Sequence, residues 1–233
     1  MLNLGIIVAM KQELNEIKKK IFIYKKNNFK NYILYIGKFK KIKIFLLQCG
    51  VGKTNASCAT SILLCKYKID FIINIGSCGS LKKNKKIFDI LIPEKLCYHD
   101  VDLTAFNYPV GKIPNLPIFF YPNFYLKNII IKICTEKKIP FFLGLLITGD
   151  IFLQGKDNLN IIKKKIPSAI ALDMESTAIA HVCYIFNTPF INIKLISDCS
   201  GNKSKIEFKK NILNINLKSW LIIFEILKFF NGD

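Results

Sequence analysis

Ala171-Leu172-Asp173-Met174-Glu175-Ser176-Thr177-Ala178-Ile179-Ala180 sets two carboxylates inside a run of small and apolar residues. A run of this kind is expected to be buried, and a buried charge is costly unless it is paired or hydrogen-bonded. Two readings follow. Asp173 or Glu175 serves the N-terminus of a helix, where an acidic side chain is stabilised. Alternatively, Glu175 faces a pocket and accepts hydrogen bonds from a ligand rich in hydroxyls, its two oxygens holding both members of a vicinal diol. The segment alone leaves both open. It follows the apolar stretch Ala169 to Leu172 and precedes a helical pattern from Glu175 to about Phe186, so it reads as a strand handing over to a helix.

The same handover recurs along the chain. Gly5-Ile6-Ile7-Val8-Ala9 is strand-like and breaks into Met10-Lys11-Gln12-Glu13, the start of an amphipathic helix. Hairpin-like strands follow at Tyr32 to Gly37 and Lys43 to Cys49. Gly50-Val51-Gly52-Lys53-Thr54 looks like the end of a phosphate-binding loop, but Leu47 stands where that pattern requires its first glycine. We read it as a turn into a helix from Asn55 to about Cys65. Ile69 to Ile75 is a continuous apolar strand of the sort covered on both faces. It runs into Gly76-Ser77-Cys78-Gly79-Ser80, a small-residue turn in which Ser77 and Gly79 would let a ligand approach the backbone. Further strands are expected at Asp89 to Pro93, Phe142 to Thr148 and Phe190 to Ile196, and a helix at Asn158 to Lys165. Tyr98 to Tyr121 reads as a long irregular segment, the kind that serves as a lid or an interface. The last helix, roughly Lys209 to Phe230, is expected to pack Leu213, Leu217, Trp220 and Phe224 inward. The expectation is a single domain over 1–233, a three-layer α/β/α sandwich around a central mixed, largely parallel sheet.

Composition bounds the function. The chain has 233 residues, 51% apolar and 22% charged, as in a globular protein. No apolar stretch reaches membrane-spanning length, and nothing resembles a signal peptide, so a cytoplasmic protein with no membrane partner is expected. The net charge of +19 would ordinarily suggest nucleic acid. Every one of the 35 basic residues is Lys, however, and Arg is the preferred reader of guanine edges and phosphates. The lysines are scattered or in short runs, so no nucleic-acid partner is expected. Eight cysteines show neither C-x-x-C nor zinc spacing, and His99 and His181 are the only histidines, so neither metal nor other cofactor is expected.

Ser77, Phe152, Glu175 and Asp198 each lie at or within a few residues of the carboxyl end of an apolar strand, and Glu13 follows the first strand. Open α/β sheets bind ligands in the crevice beyond those ends. Together these residues offer an aromatic platform, three carboxylates and a small-residue turn.

With those pieces in place, the chain resembles the bacterial 5′-methylthioadenosine/S-adenosylhomocysteine nucleosidases of the nucleoside phosphorylase-like superfamily. The resemblance is carried by Gly5 to Met10 with Glu13, Asn74 to Gly79, Tyr98-His99-Asp100 with Asp102 to Phe106, Gly149-Asp150-Ile151-Phe152, Asp173 to Cys183, and Ile196-Ser197-Asp198, in family order over nearly the whole chain. It implies a homodimer that hydrolyses the N-glycosidic bond of adenine thionucleosides, releasing adenine. Glu13 matches the residue that activates water, and Asp198, supported by Ser197, the acid that protonates adenine N7. Glu175 matches the holder of the ribose hydroxyls, with Met174 beside it. Phe152 would stack on the base, and the Leu153 backbone would bond its edge. Leu103, Phe106, Tyr108, Pro114 and Phe208 match the wall around the 5′-thio group, part of which the partner subunit supplies.

Two positions depart from the family pattern: Lys194 stands where Arg is usual, and Asp173 where Glu is common. Lys keeps the charge but lacks the bidentate fork, so a looser geometry near the sugar is expected. Two rival readings remain, a purine nucleoside phosphorylase and a nucleoside-binding protein without activity. The first wants a cationic cradle for phosphate, and the second is disfavoured by the presence of both Glu13 and Asp198.

Overall fold

A computed structural model describes residues 1–82, 84–199 and 204–232. Nine strands form one sheet: β1 (Leu2–Val8), β2 (Phe22–Phe29), β3 (Tyr32–Phe39), β4 (Ile42–Gln48), β5 (Phe71–Ser80), β6 (Ile90–Tyr98), β7 (Phe141–Thr148), β8 (Ala169–Asp173) and β9 (Phe190–Cys199). Among the described residues six α-helices cover it: α1 (Lys11–Lys18), α2 (Lys53–Lys66), α3 (Phe124–Glu136), α4 (Lys156–Lys165), α5 (Ser176–Ile185) and α6 (Ser204–Asn231). The fold is the expected mixed sheet with helices on both faces.

The spatial order is β2-β3-β4-β1-β5-β8-β7-β6-β9, and β9 also pairs with β5. The sheet therefore curls back on itself. β5 to β9 close into a five-stranded ring, from which β1, β4, β3 and β2 extend as an open wing. Pairing is parallel for β1–β4, β1–β5, β5–β9, β6–β7 and β7–β8, and antiparallel for the hairpins β2–β3 and β3–β4 and the contacts β5–β8 and β6–β9.

Alternation along β1 shows how the layers are built. Leu4, Ile6 and Val8 enter one core with Leu14 and Ile17 of α1, Ile129 and Ile133 of α3, and Ile223 and Ile226 of α6. Ile7 enters the opposite core with Ala56 and Leu63 of α2 and Ile179 and Cys183 of α5. Successive side chains of a strand point to opposite faces, so a strand apolar at nearly every position must be covered twice. A smaller cluster around Leu145, Ile147 and Leu172 takes Ile162 of α4.

Several expectations need correction. β2 and α3 were not anticipated. β2 is a largely exposed edge strand with Lys and Asn at its centre, so it has no apolar alternation to read. The stretch Gly76 to Ser80 is not a turn but the continuation of β5, with a register shift between Cys78 and Gly79. Its small residues answer to crowding, since a Cβ on Gly76 would stand 2.8 Å from Glu13 Oε1. Likewise Ser197 and Asp198 lie within β9 rather than beyond it.

The inward face of α6 was also misplaced. Leu213 and Leu217 are 69% and 52% exposed, whereas Ile215, Ile222, Ile223, Ile226 and Leu227 are buried with Trp220. The helix is apolar on more than one face, so helical spacing alone could not select the buried one. Ile223→Ala should therefore cost about 2–5 kcal/mol in denaturant unfolding, and Leu213→Ser less than about 0.5 kcal/mol.

Candidate active site

The carboxyl ends of β1, β5, β8 and β9 surround a cavity of about 240 Å³. Glu13, Ser77, Gly79, Phe152, Leu153, Met174, Glu175, Lys194, Ser197, Asp198 and Phe208 all line it. Leu103, Phe106, Tyr108 and Pro114 do not. Phe106 instead stands in solvent at 72% exposure, on the short 3-10 turn Thr104–Phe106 after β6. Sequence reading missed Ala9, Met10, Val51, Cys78, Ile151 and Leu172 as lining residues. For Val51 a signal existed: it sits in the glycine-rich stretch that had failed as a phosphate loop.

Glu13 is buried in the first turn of α1. Its Oε2 accepts from Ala9 N at 3.1 Å and Met10 N at 3.0 Å, and its Oε1 from Ser77 N at 3.2 Å. Burial raises its pKa, while Lys194 and those three amides pull the other way.

The acids of the opening motif divide the two roles that its sequence left open. Asp173 does the structural work. Its Oδ1 and Oδ2 each lie 3.2 Å from Ser176 N at the start of α5, its Oδ1 accepts from Thr148 Oγ1 at 2.7 Å, and its Oδ2 pairs with Lys194 Nζ at 3.0 Å. Glu175 occupies the N-cap position of α5 without capping it. Its Oε1 accepts from Gly52 N at 2.8 Å, across from the start of α2. Burial, then the neighbouring Asp173 charge, raises Glu175 to about 8, against the opposing pull of Lys194 and the Gly52 amide. Lys194 is as deeply buried. Desolvation works against its charge, yet Asp173, Glu175 and Glu13 outweigh that and raise its pKa, so it stays an ammonium. The shorter Asp173 and the Lys in place of Arg thus still meet at ion-pair distance.

Asp198 faces the cavity from β9. Burial raises its pKa to about 6, Ser197 lowers it, and Glu207 adds a small upward push. Ser197 Oγ lies 2.6 Å from Asp198 Oδ1 and 3.1 Å from Cys78 O. A hydroxyl has one proton, so it donates to the carboxylate when Asp198 is ionised and can turn to Cys78 O when Asp198 is protonated. At the mouth Phe152 and Phe208 meet edge to face, with centroids 6.1 Å apart. The Leu153 carbonyl accepts from Ser204 Oγ at 3.1 Å, which ties this segment to α6. Among the described residues no cluster of His, Cys, Asp and Glu could hold a metal ion.

A cavity with an apolar mouth, a protonatable acid on one wall and carboxylates around one buried cation on the other suits a purine glycoside. Comparison with known proteins agrees. The model of the phosphorylase superfamily matches residues 3–227. A 5′-methylthioadenosine/S-adenosylhomocysteine nucleosidase of Buchnera aphidicola subsp. Schizaphis graminum is 47% identical over 227 residues, covering 97% of each chain. The chain belongs to this nucleosidase family.

Solved structures of the family superimpose closely. The nucleosidase from Neisseria meningitidis, in complex with methylthio-immucillin-A, gives a TM-score of 0.93 at 31% identity and covers 98% of this chain and 99% of its own. That from Colwellia psychrerythraea, in complex with adenine, gives 0.92 at 31% identity and covers 97% and 94%.

The raised pKa of Asp198 has a consequence for stability. The folded nucleosidase holds this proton more tightly than the unfolded chain does. The group therefore contributes stability that is present below the ordinary Asp pKa and lost as pH rises through about 6. Asp198→Asn removes that loss. Denaturant unfolding at pH 4 and pH 8 should show the variant gaining on the unsubstituted protein by up to about 3 kcal/mol across that interval.

Proposed function

We propose that the chain hydrolyses the N-glycosidic bond of 5′-methylthioadenosine and S-adenosylhomocysteine, with Glu13 and Asp198 as its catalytic residues. The reading is carried by one arrangement: Asp198, an acid whose proton is held up to about pH 6, faces the same cavity as the carboxylates of Glu13 and Glu175 around Lys194. As the C1′–N9 bond breaks, its electron pair moves into the purine, and Asp198 gives its proton to N7. Positive charge grows on the ribose, where Glu13 and the ionised form of Glu175 favour it. Glu13 takes a proton from a water whose oxygen bonds to C1′. Adenine and the thioribose product leave, and solvent returns a proton to Asp198 and removes one from Glu13.

The remaining residues bind. Glu175 holds the ribose hydroxyls beside Met174, over Lys194. Each carboxylate oxygen has two acceptor positions, so the bond from Gly52 still leaves room for a diol. Phe152 stacks on the base, the Leu153 backbone meets its edge near Ser77 and Gly79, and Phe208 flanks the 5′ group. A phosphorylase is disfavoured by electrostatics. Among the described lining residues Lys194 is the only cation, and it is already paired with Asp173. Adenine release should therefore proceed at the same rate with and without phosphate. A cytoplasmic setting fits the eight free cysteines, and no described helix is long and apolar enough to cross a membrane.

Asp198→Asn should lower kcat by roughly 10²–10⁴ with little change in KM, whereas Glu175→Gln should raise KM as well. On a nitrophenyl riboside, whose leaving group needs no proton, Asp198→Asn should be far less impaired and Glu175→Gln still impaired. Equal losses on both substrates would remove Asp198 from its role as acid.

The homodimer belongs to the same proposal. Phe106 and Tyr108 are exposed, as are Tyr121, Phe124, Tyr184 and Ile185. We assign Leu103, Phe106, Tyr108 and Pro114, which miss this chain's own cavity, to the 5′ wall of a partner's. Sedimentation at micromolar concentration should give the mass of two chains, joined by an interface of about 1,600 Å² or more. A fully active monomer would contradict it.

A further inference from the structure

The stretch Gly50 to Thr54 fails as a phosphate loop, yet the start of α2 holds anions all the same, and they are the protein's own. Gly52 N donates to Glu175 Oε1 at 2.8 Å, and Lys53 N to Asp150 Oδ1 at 2.7 Å. Lys53 Nζ reaches Asp100 Oδ2 at 2.6 Å, and Asp150 N donates to that same oxygen at 2.9 Å. Amides at a helix N-terminus lack intrahelical partners and favour negative charge. Here carboxylates from just beyond β6, β7 and β8 supply both.

Two glycines permit this approach. Gly52 has φ +98°, and a Cβ there would stand 3.1 Å from Asp150 Oδ1. Gly149 lies so close to the end of β6 that a Cβ would come within 2.9 Å of Asp100 Cγ. Neither Asp100 nor Asp150 lines the cavity. Among the described residues, the Gly52 amide is the one hydrogen-bond donor to the Glu175 carboxylate. Without it a side chain with three rotatable bonds would be free to turn in the cavity.

We propose that Asp150, braced by Asp100 and Lys53, is a positioning residue that fixes the first turn of α2 so that the Gly52 amide aims Glu175 at the ribose hydroxyls. The inference rests on the reading of Glu175 given above. Asp150 touches no substrate and acts through Lys53 N, Gly52 N and then Glu175.

The test compares adenine release from 5′-methylthioadenosine and from its 2′,3′-dideoxy counterpart, which gives Glu175 nothing to hold. Asp150→Ala should raise KM about tenfold on the first and less than about twofold on the second, in the range expected for loosening a charged hydrogen bond. Asp150→Asn keeps an oxygen facing Lys53 N and should recover most of the loss. Asp100→Asn weakens the brace while leaving both α2 amides in place, and should give a milder form of the same pattern. Affinity for free adenine should not change, and Asp150→Ala should add nothing to Glu175→Gln. Asp150 is exposed, so its removal leaves the core intact, which the melting temperature monitors. Equal losses on the two nucleosides, weaker adenine binding, additivity with Glu175→Gln or no loss at all would each overturn the proposal. Glu175→Gln on the same pair separates the two levels. If it ignores the hydroxyls, the reading of Glu175 falls and takes the proposal with it. If it discriminates and Asp150→Ala does not, only the proposal falls.

Discussion

The buried ion pair between Lys194 and Asp173 is the contact on which the cavity depends. Both side chains are almost wholly inaccessible, and their charged atoms lie 3.0 Å apart. Removing such groups from water costs more than their attraction returns unless the remaining hydrogen-bonding positions are filled. On the acid's side they are filled: Asp173 also takes the hydroxyl of Thr148 and the first amide of α5. The pair thereby joins β9, β7, β8 and α5 at one point. The arrangement is poor value as stabilisation alone, since an apolar pair of similar volume would fill the space without desolvating charge. It makes sense as the support for Glu13 and Glu175, whose own burial Lys194 offsets.

Four acids of similar chemistry end up with different tasks because their surroundings differ. Asp173 has a cation, a hydroxyl and a helix start, and serves structure. Glu13 is held by three backbone amides and remains available to accept a proton. Glu175 has one amide and stands near other negative charge, and burial together with that charge raises its pKa to about 8. Asp198 lies on the other wall, where among the described residues burial is opposed by the hydroxyl of Ser197 and reinforced by Glu207. Separation of acids by environment is how one site can carry both an acid and a base near neutral pH.

Close approach of the chain to these acids requires residues without side chains. Gly76 makes room for Glu13 within β5, and Gly52 brings an amide to Glu175 in a backbone conformation that other residues resist. Both glycines sit in stretches whose composition suggests turns. One proves to be a strand interior and the other a helix cap.

The sequence by itself determined the alternation of apolar strands with helices, and with it the layered fold and the edge at which the cavity lies. Apolar runs such as Phe71 to Ile75 of β5 can exist as strands only under cover on both faces, so their composition dictates the layers. It also marked Glu13, Glu175 and Asp198, because carboxylates among apolar neighbours must be satisfied or used. Only the tertiary structure decided which acid was satisfied and which was left facing the cavity. Asp173 and Glu175 are two residues apart, and their partners, Lys194, Thr148 and Gly52, come from distant strands and a helix start. The closure of the sheet through β5 and β9 was beyond local reading for the same reason, as was the buried face of α6. Pairing and burial are set by what lies opposite in space, and a chain apolar on several faces does not say which one its neighbours will cover.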